Sequence, residues 1–210
     1  MAGNWIHALA FFAQIVPAFL IVLSVHECAH AATAFLLGDS TAKNQGRLTL
    51  NPLAHIDPMG LLFLLIFRIG WAKPVQFDQR NFKHPKLYSV FTALAGPFSN
   101  FILAFLLFTF LNHFPAALFS VGVTATLVQF LEITGYISVM LGAFNILPIP
   151  PLDGSHILMV LFLYKHPRVL MWFYRYSLFL ILFLFLIPTT RMMFIQYIQF
   201  VQQVIKSLAL

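Results

Sequence analysis

Apolar residues occupy residues 11–37 almost without interruption, and the few ionisable groups in that run cluster towards its C-terminal end. A bilayer core asks for about 20 apolar residues per helix, so each long run can be tested against that length. The first, residues 5–37, is long enough to span with tilt or to continue beyond the bilayer, and Gly38 stops it. Residues 39–58 are the polar exception: Thr41, Lys43, Asn44, Arg47, Thr49 and Asn51 alternate with apolar residues around Leu48 and Leu50. That alternation predicts short extended strands, whose edge could receive an extended peptide. Residues 59–70 are apolar but too short for an easy crossing and carry Arg68, which predicts a re-entrant or interfacial segment.

Two further helices are predicted over 85–111 and 119–144. Thr124, Thr126, Gln129, Glu132 and Thr134 make the first half of the second less apolar, so one of its faces should meet protein or a cavity. Pro148, Pro150 and Pro151 then forbid a regular helix over 145–154. A helix resumes after Gly154, another span covers 169–187, and Pro188 ends it. Over 191–210, Gln196, Gln199, Gln202, Gln203 and Lys206 recur at near-helical spacing, the pattern of an amphipathic helix. The expected fold is all-α: a polytopic helical membrane protein with about 4–6 membrane segments, a small strand-like or re-entrant region after the first helix, and a C-terminal amphipathic helix.

Composition agrees, with 60% hydrophobic residues, 9% charged residues and a mean hydropathy of +0.88. No polar linker divides the chain, so residues 1–210 are expected to form a single integral-membrane domain. The net charge of +6 comes from basic residues scattered through short connections, which excludes a nucleic-acid-binding role and instead orients the protein. Lys73, Arg80, Lys83 and Lys86 against Asp78 mark one loop as cytoplasmic, while the 112–120 connection carries no Lys or Arg. The N-terminus lacks a basic leader region, so no removed leader is expected. One Cys excludes an intrachain disulfide and a cysteine-based zinc cluster, leaving His and carboxylates to hold any metal.

The ionisable cluster in the first run is His26-Glu27-Cys28-Ala29-His30. At about 100° per residue, His26 and His30 are offset by roughly 40° and can face one ion, whereas Cys28 points about 200° away from His26. Two neutral imidazoles suit Zn²⁺, and a neighbouring carboxylate that does not ligate can take a proton from the water that the metal activates. The pattern is the H-E-x-x-H metalloprotease signature. With eight His in 210 residues, its chance occurrence here is about 0.003, and three ionisable groups inside a membrane persist only where they pair, ligate or face a polar cavity. A third ligand is needed. Asp153 is the leading candidate, since it follows the proline break and precedes Gly154, with capping of the next helix as its alternative role. Asp57, beside Pro58, competes for the same place, and His156 lies one turn past Asp153.

The H-E-C-A-H helix, together with Asn145-Ile146-Leu147-Pro148-Ile149-Pro150-Pro151-Leu152-Asp153-Gly154, resembles the site-2 protease family of intramembrane zinc metalloproteases. That family pairs an H-E-x-x-H helix with a distant N-x-x-P-x-P-x-L-D-G segment, and Ala95-Gly96-Pro97-Phe98-Ser99-Asn100 matches its A-G-P-x-x-N motif. The 51–58 segment Asn-Pro-Leu-Ala-His-Ile-Asp-Pro and the 71–75 segment Trp-Ala-Lys-Pro-Val resemble its short prokaryotic members, without a segment polar enough for a PDZ or CBS domain. The resemblance implies a multi-pass protein of the cell's inner membrane that hydrolyses peptide bonds in or near transmembrane segments of membrane-protein substrates. It implies one Zn²⁺ per chain held by His26, His30 and Asp153, with Glu27 as general base. Asn100 and Asn145 would position substrate or stabilise the oxyanion, with helix packing and a local turn as their alternative roles. His55, carried by the short members, makes either a catalytic contact or a structural hydrogen bond, and the spacing of His156 from Asp153 places it behind the ligands, with ligation as its alternative. Two other classes compete with this reading: a metal-ion transporter and a non-catalytic membrane scaffold. A transporter calls for several polar sites along a route, helped by inverted repeats, and neither is visible here; a scaffold has no need of Glu27. Two His and one carboxylate can also hold iron. Neither the substrate nor the oligomeric state is set by the sequence.

Overall fold

The computed structural model describes residues 3–67, 73–113, 122–162 and 165–210. Eight α-helices are found among them: α1 (Gly3–Leu36), α2 (Thr41–Asn44), α3 (Pro58–Phe67), α4 (Pro85–His113), α5 (Gly122–Asn145), α6 (Ser155–Leu161), α7 (Pro167–Leu186) and α8 (Pro188–Leu208). Four stretches are long and apolar enough to cross a membrane: Ala13–Leu36, Pro85–His113, Ala125–Asn145 and Pro167–Leu186. The protein is therefore an all-α, multi-pass membrane protein. α3 has only 10 residues, too few to span. Arg68, Trp71 and Ala72 lie outside the described residues, as does most of the 112–120 connection.

The core is a bundle of α1, α4 and α5. Buried residues on α1 recur every four positions at Ala18, Val22, His26, His30 and Ala34, a single stripe along one face. On α4 the matching stripe is Ser89, Thr92, Ala93, Gly96, Pro97, Asn100, Ala104 and Phe108, mostly small residues that let backbones approach. α5 meets it through Gly135 and Gly142, where an added Cβ would lie 2.7 Å from the rings of Phe108 and Phe101 respectively. The C-terminal helix α8 seats Ile205 beside Ala104, Phe108 and Val139, so its apolar face packs on α4 and α5. α7, by contrast, buries only Ser177 and leaves Leu178, Phe179, Leu182 and Phe183 exposed, as a lipid-facing helix does.

Residues 39–58 form no strand among the described residues, which corrects the expectation from the alternating pattern. Local side-chain bonds compete with a sheet here: Asn51 Oδ1 accepts from Leu53 N–H, Thr49 Oγ1 accepts from Asn51 N–H, and Gly46 turns the chain at φ +71°. The segment instead folds as α2, a 3₁₀ turn over Pro52–Ala54 and irregular chain.

Gly38 ends α1 at φ +105°, with Gly38 N–H bonded to Phe35 O and Asp39 N–H to Ala34 O, the paired bonds of a glycine helix stop. Asp39 is thereby delivered, fully buried, to a point where its carboxylate accepts from Thr41 N–H, Thr41 Oγ1–H, Asp78 N–H and Asn81 Nδ2–H at 2.5–3.1 Å. One side chain ties the end of α1 to the loop before α4. Burial alone would raise its pKa, but these hydrogen bonds outweigh it and hold the group below the ordinary 3.8. A carboxylate depressed in this way contributes stability above the unfolded-state value and loses it as pH falls through the lower folded value. Asp39→Ala strands several buried donors, and we expect it to cost about 2–4 kcal/mol in unfolding measured in detergent. Wild type should lose stability on acidification below about pH 4, and Asp39→Asn should lack that component.

Candidate metal centre

The cluster forms where the three core helices meet. His26 and His30 project from one face of α1, their rings meeting edge-on with centroids 4.6 Å apart. Their Nε2 atoms lie 3.0 Å apart, and Asp153 Oδ2 stands 3.1 Å from the first and 3.4 Å from the second. The three ligand atoms lie within 4.8 Å of one another. Each Nε2 is the nitrogen left over after Nδ1 has been engaged elsewhere. His30 Nδ1 faces the Thr92 carbonyl at 2.7 Å and must carry the hydrogen that it donates. His26 Nδ1 faces the side-chain amide of Asn100 at 3.0 Å. An amide turned end for end fills the same space, and in that orientation Asn100 Oδ1, otherwise buried without a partner, accepts from His26 Nδ1–H. Both Nε2 lone pairs and a carboxylate oxygen then converge on one point. Such a convergence can hold a cation, and the two-imidazole, one-carboxylate set fits zinc.

Gly96 makes the cradle possible. A Cβ there would lie 2.4 Å from His30 Nε2 and 2.7 Å from His26 Cε1, so any side chain on α4 at this position would displace both rings. Asp153 arrives by a different device. The chain leaves α5, passes through its proline break, and returns so that Gly154 N–H bonds to Asn145 O at 2.8 Å. A Cβ on Gly154 would lie 2.0 Å from Ile146 O, so glycine is required for that closure. Asp153 does not cap α6, whose start has no side-chain cap. Asp57 does cap, accepting from Met59 N–H and Gly60 N–H at the start of α3, and takes no part in the cluster.

Glu27 is buried beside the ligands without joining them, and its Oε2 accepts from Val75 N–H at 2.9 Å. Cys28 is a free, half-buried thiol outside the ligand set. The remaining candidates make these contacts. Asn100 is fully buried behind His26, and its carbonyl accepts from Ser138 Oγ–H at 2.8 Å, so it orients a ligand and joins α4 to α5. Asn145 turns its amide back to Leu141 O at 3.0 Å. His55 is fully buried, donates from Nε2 to Thr49 O and accepts at its carbonyl from Lys73 N–H, both at 2.9 Å. His156 packs its ring against Phe77 at 5.8 Å, and burial lowers its pKa. Sequence reasoning had missed Thr92, Gly96 as a cradle, and Val75 as the partner of Glu27; the last two lay within recognised motifs but without a role.

The sequence profile of peptidase family M50 matches residues 14–184. A Bacillus subtilis protein, "Putative zinc metalloprotease YwhC", is 42% identical over 158 residues, 72% of this chain and 70% of that protein. "Putative zinc metalloprotease Rip2" is 34% identical in Mycolicibacterium smegmatis and 32% in Mycobacterium tuberculosis, each over 165 residues that span 73% of this chain and 60% of those proteins. No solved structure matches the chain. A convergent His26–His30–Asp153 set, beside a non-ligating glutamate in a bundle of apolar helices, meets a profile match over most of the chain: this protein belongs to peptidase family M50, the site-2 protease family.

Proposed function

We propose that the protein is an intramembrane zinc metalloendopeptidase whose metal is held by His26, His30 and Asp153 and whose general base is Glu27. The observation that carries this reading is the meeting of both imidazole Nε2 atoms with Asp153 Oδ2, while Glu27 stays beside them and outside the ligand set. Zinc supplies a Lewis acid that makes a water nucleophilic near neutral pH and polarises a peptide carbonyl. The chain's own groups do the rest. His30 keeps its proton on Nδ1, donated to Thr92 O, and His26 does likewise to Asn100 Oδ1 with that amide turned, so both rings present a lone pair at Nε2. Glu27 takes the proton of the attacking water and returns it to the leaving amine. Burial of all three α1 groups keeps bulk water from competing for that proton.

The substrates are membrane proteins with a transmembrane segment cut within or near the bilayer. A helix hides its peptide bonds behind intrahelical hydrogen bonds, so the substrate has to unwind locally before its carbonyl reaches the site. The protein sits in the cell's inner membrane, with the basic 73–86 loop on the cytoplasmic side. A single domain accounts for residues 1–210, with the metal centre at the junction of its core helices.

Glu27→Gln should keep near-stoichiometric zinc and lose at least about 10³-fold in cleavage of a transmembrane reporter by purified protein. Equal cleavage by both forms would sink the assignment of Glu27. Gly96→Ala should instead act on the metal: we expect zinc affinity to fall by about 10–100-fold in chelator competition, through displaced rings, while the helical content is kept.

A further inference from the structure

Residues 73–78, Lys-Pro-Val-Gln-Phe-Asp, form a strap that is itself neither helix nor strand, and the backbone of that strap is tied at three points. Lys73 N–H donates to His55 O at 2.9 Å, Val75 N–H to Glu27 Oε2 at 2.9 Å, and Asp78 N–H to Asp39 Oδ2 at 2.7 Å. The local sequence favours this shape. Pro74 biases Lys73 to extended geometry and offers no N–H of its own, and β-branched Val75 prefers the same region. In an extended chain the N–H groups of residues two apart point to one side, so Lys73 and Val75 can both donate inward, one to His55 O and the other to Glu27. The two outer ties are to fixed points: His55 is fully buried and bonded to Thr49, and Asp39 is fully buried at the stop of α1. Phe77 packs against Phe82 and His156, which seats the strap between the loop before α4 and the helix that follows Asp153.

We infer that this strap is a positioning device for the general base, with the Val75 backbone amide holding the Glu27 carboxylate in its proton-accepting orientation. The inference rests on the reading of Glu27 as base given above. Glu27 Oε2 is occupied by Val75, and Oε1 has no hydrogen-bond partner among the described residues, so one oxygen is fixed and the other is left to accept a proton. A glutamate has three side-chain torsions; without the tether its carboxylate is free to sample positions from which no water near the ligands can reach it. The Val75 side chain is not what matters. The amide hydrogen is.

The test compares Val75→Pro, which deletes the donor, with Val75→Ala, which keeps it, alongside wild type and Glu27→Gln. For Val75→Pro we expect zinc content as in wild type, kcat lower by about 10–100-fold and KM changed by less than about twofold. Val75→Ala should restore nearly full kcat, which a general packing role for Val75 does not predict. Amide exchange supplies a readout without catalysis: in full-length Glu27→Ala with zinc bound, strap peptides spanning 73–78 should exchange several-fold faster than in wild type, because Val75 N–H has lost its acceptor. A Val75→Pro enzyme that cleaves as well as or better than wild type would overturn the inference, the latter outcome marking the strap as an inhibitory plug. Unchanged exchange in Glu27→Ala would overturn it as well. If Val75→Pro itself misfolds, seen as lost zinc, the exchange comparison decides alone. Failure of the protease reading looks different: wild type and Glu27→Gln would then cleave equally or not at all.

Discussion

A helix in hydrocarbon satisfies its own backbone but offers nothing to a polar side chain, so every ionisable group on it must be met by a neighbour. Three such groups on one turn of α1 dictate what α4, the strap and the proline break have to supply. His30 is met by a main-chain carbonyl, Thr92 O, and His26 by a buried amide, Asn100. Asp153 meets both rings from the far side and Val75 meets Glu27. Each partner comes from a different part of the chain, so the cluster exists only when α1, α4, the strap and the loop after α5 are all in place. The small-residue stripe on α4 follows from the same demand, because Thr92 O reaches His30 only if the helices approach closely, and at Gly96 an added Cβ would run into both imidazole rings.

The two irregular segments that reach the site are held by different physics. The loop from α5 to α6 closes on itself, Gly154 N–H to Asn145 O, and has room to do so because Gly154 carries no side chain. The strap before α4 cannot close on itself and is pinned to other elements at His55, Glu27 and Asp39. Around this rigid centre, α7 contributes almost no buried surface, and its exposed aromatic and aliphatic residues are solvated by lipid.

Much of this was legible because the signals are local and periodic. The i, i+4 spacing of His26 and His30 gives a shared direction on any helix, Gly38 is the stop it looked like, and an aspartate between a proline break and a glycine is poised to be aimed by irregular backbone. Residues 39–58 misled because alternation is a weak signal when Asn and Thr side chains bond their own backbone, and Asn51 and Thr49 do just that. Asn100 was legible as a polar residue aimed inward, but whether it faces substrate or the back of a ligand depends on a packing distance that no spacing encodes. Asp39 and Val75 were opaque for a further reason. Asp39 binds partners 39 and 42 residues away, and Val75 acts through a backbone atom that every residue but proline possesses.

The hydrogen-bond pattern also supports the proposed division of the proton chemistry. His30 commits Nδ1 as a donor to Thr92 O, and His26 does the same to Asn100 Oδ1 once that amide is turned, so both Nε2 atoms are left for the proposed cation. Neither imidazole can then take up a proton without breaking a buried bond, which disfavours both as shuttles. Asp153 spends Oδ2 on the same point. His156 and Cys28 stand outside the ligand set, and His55 faces a carbonyl of its own loop. Among the described residues of α1 and the strap, only Glu27 keeps an oxygen without a partner while being held in place by another. On the proposed reading, ligands locked by their outer bonds and a base held by one of its two oxygens separate two tasks that a looser cluster would confuse: holding the cation and moving the proton.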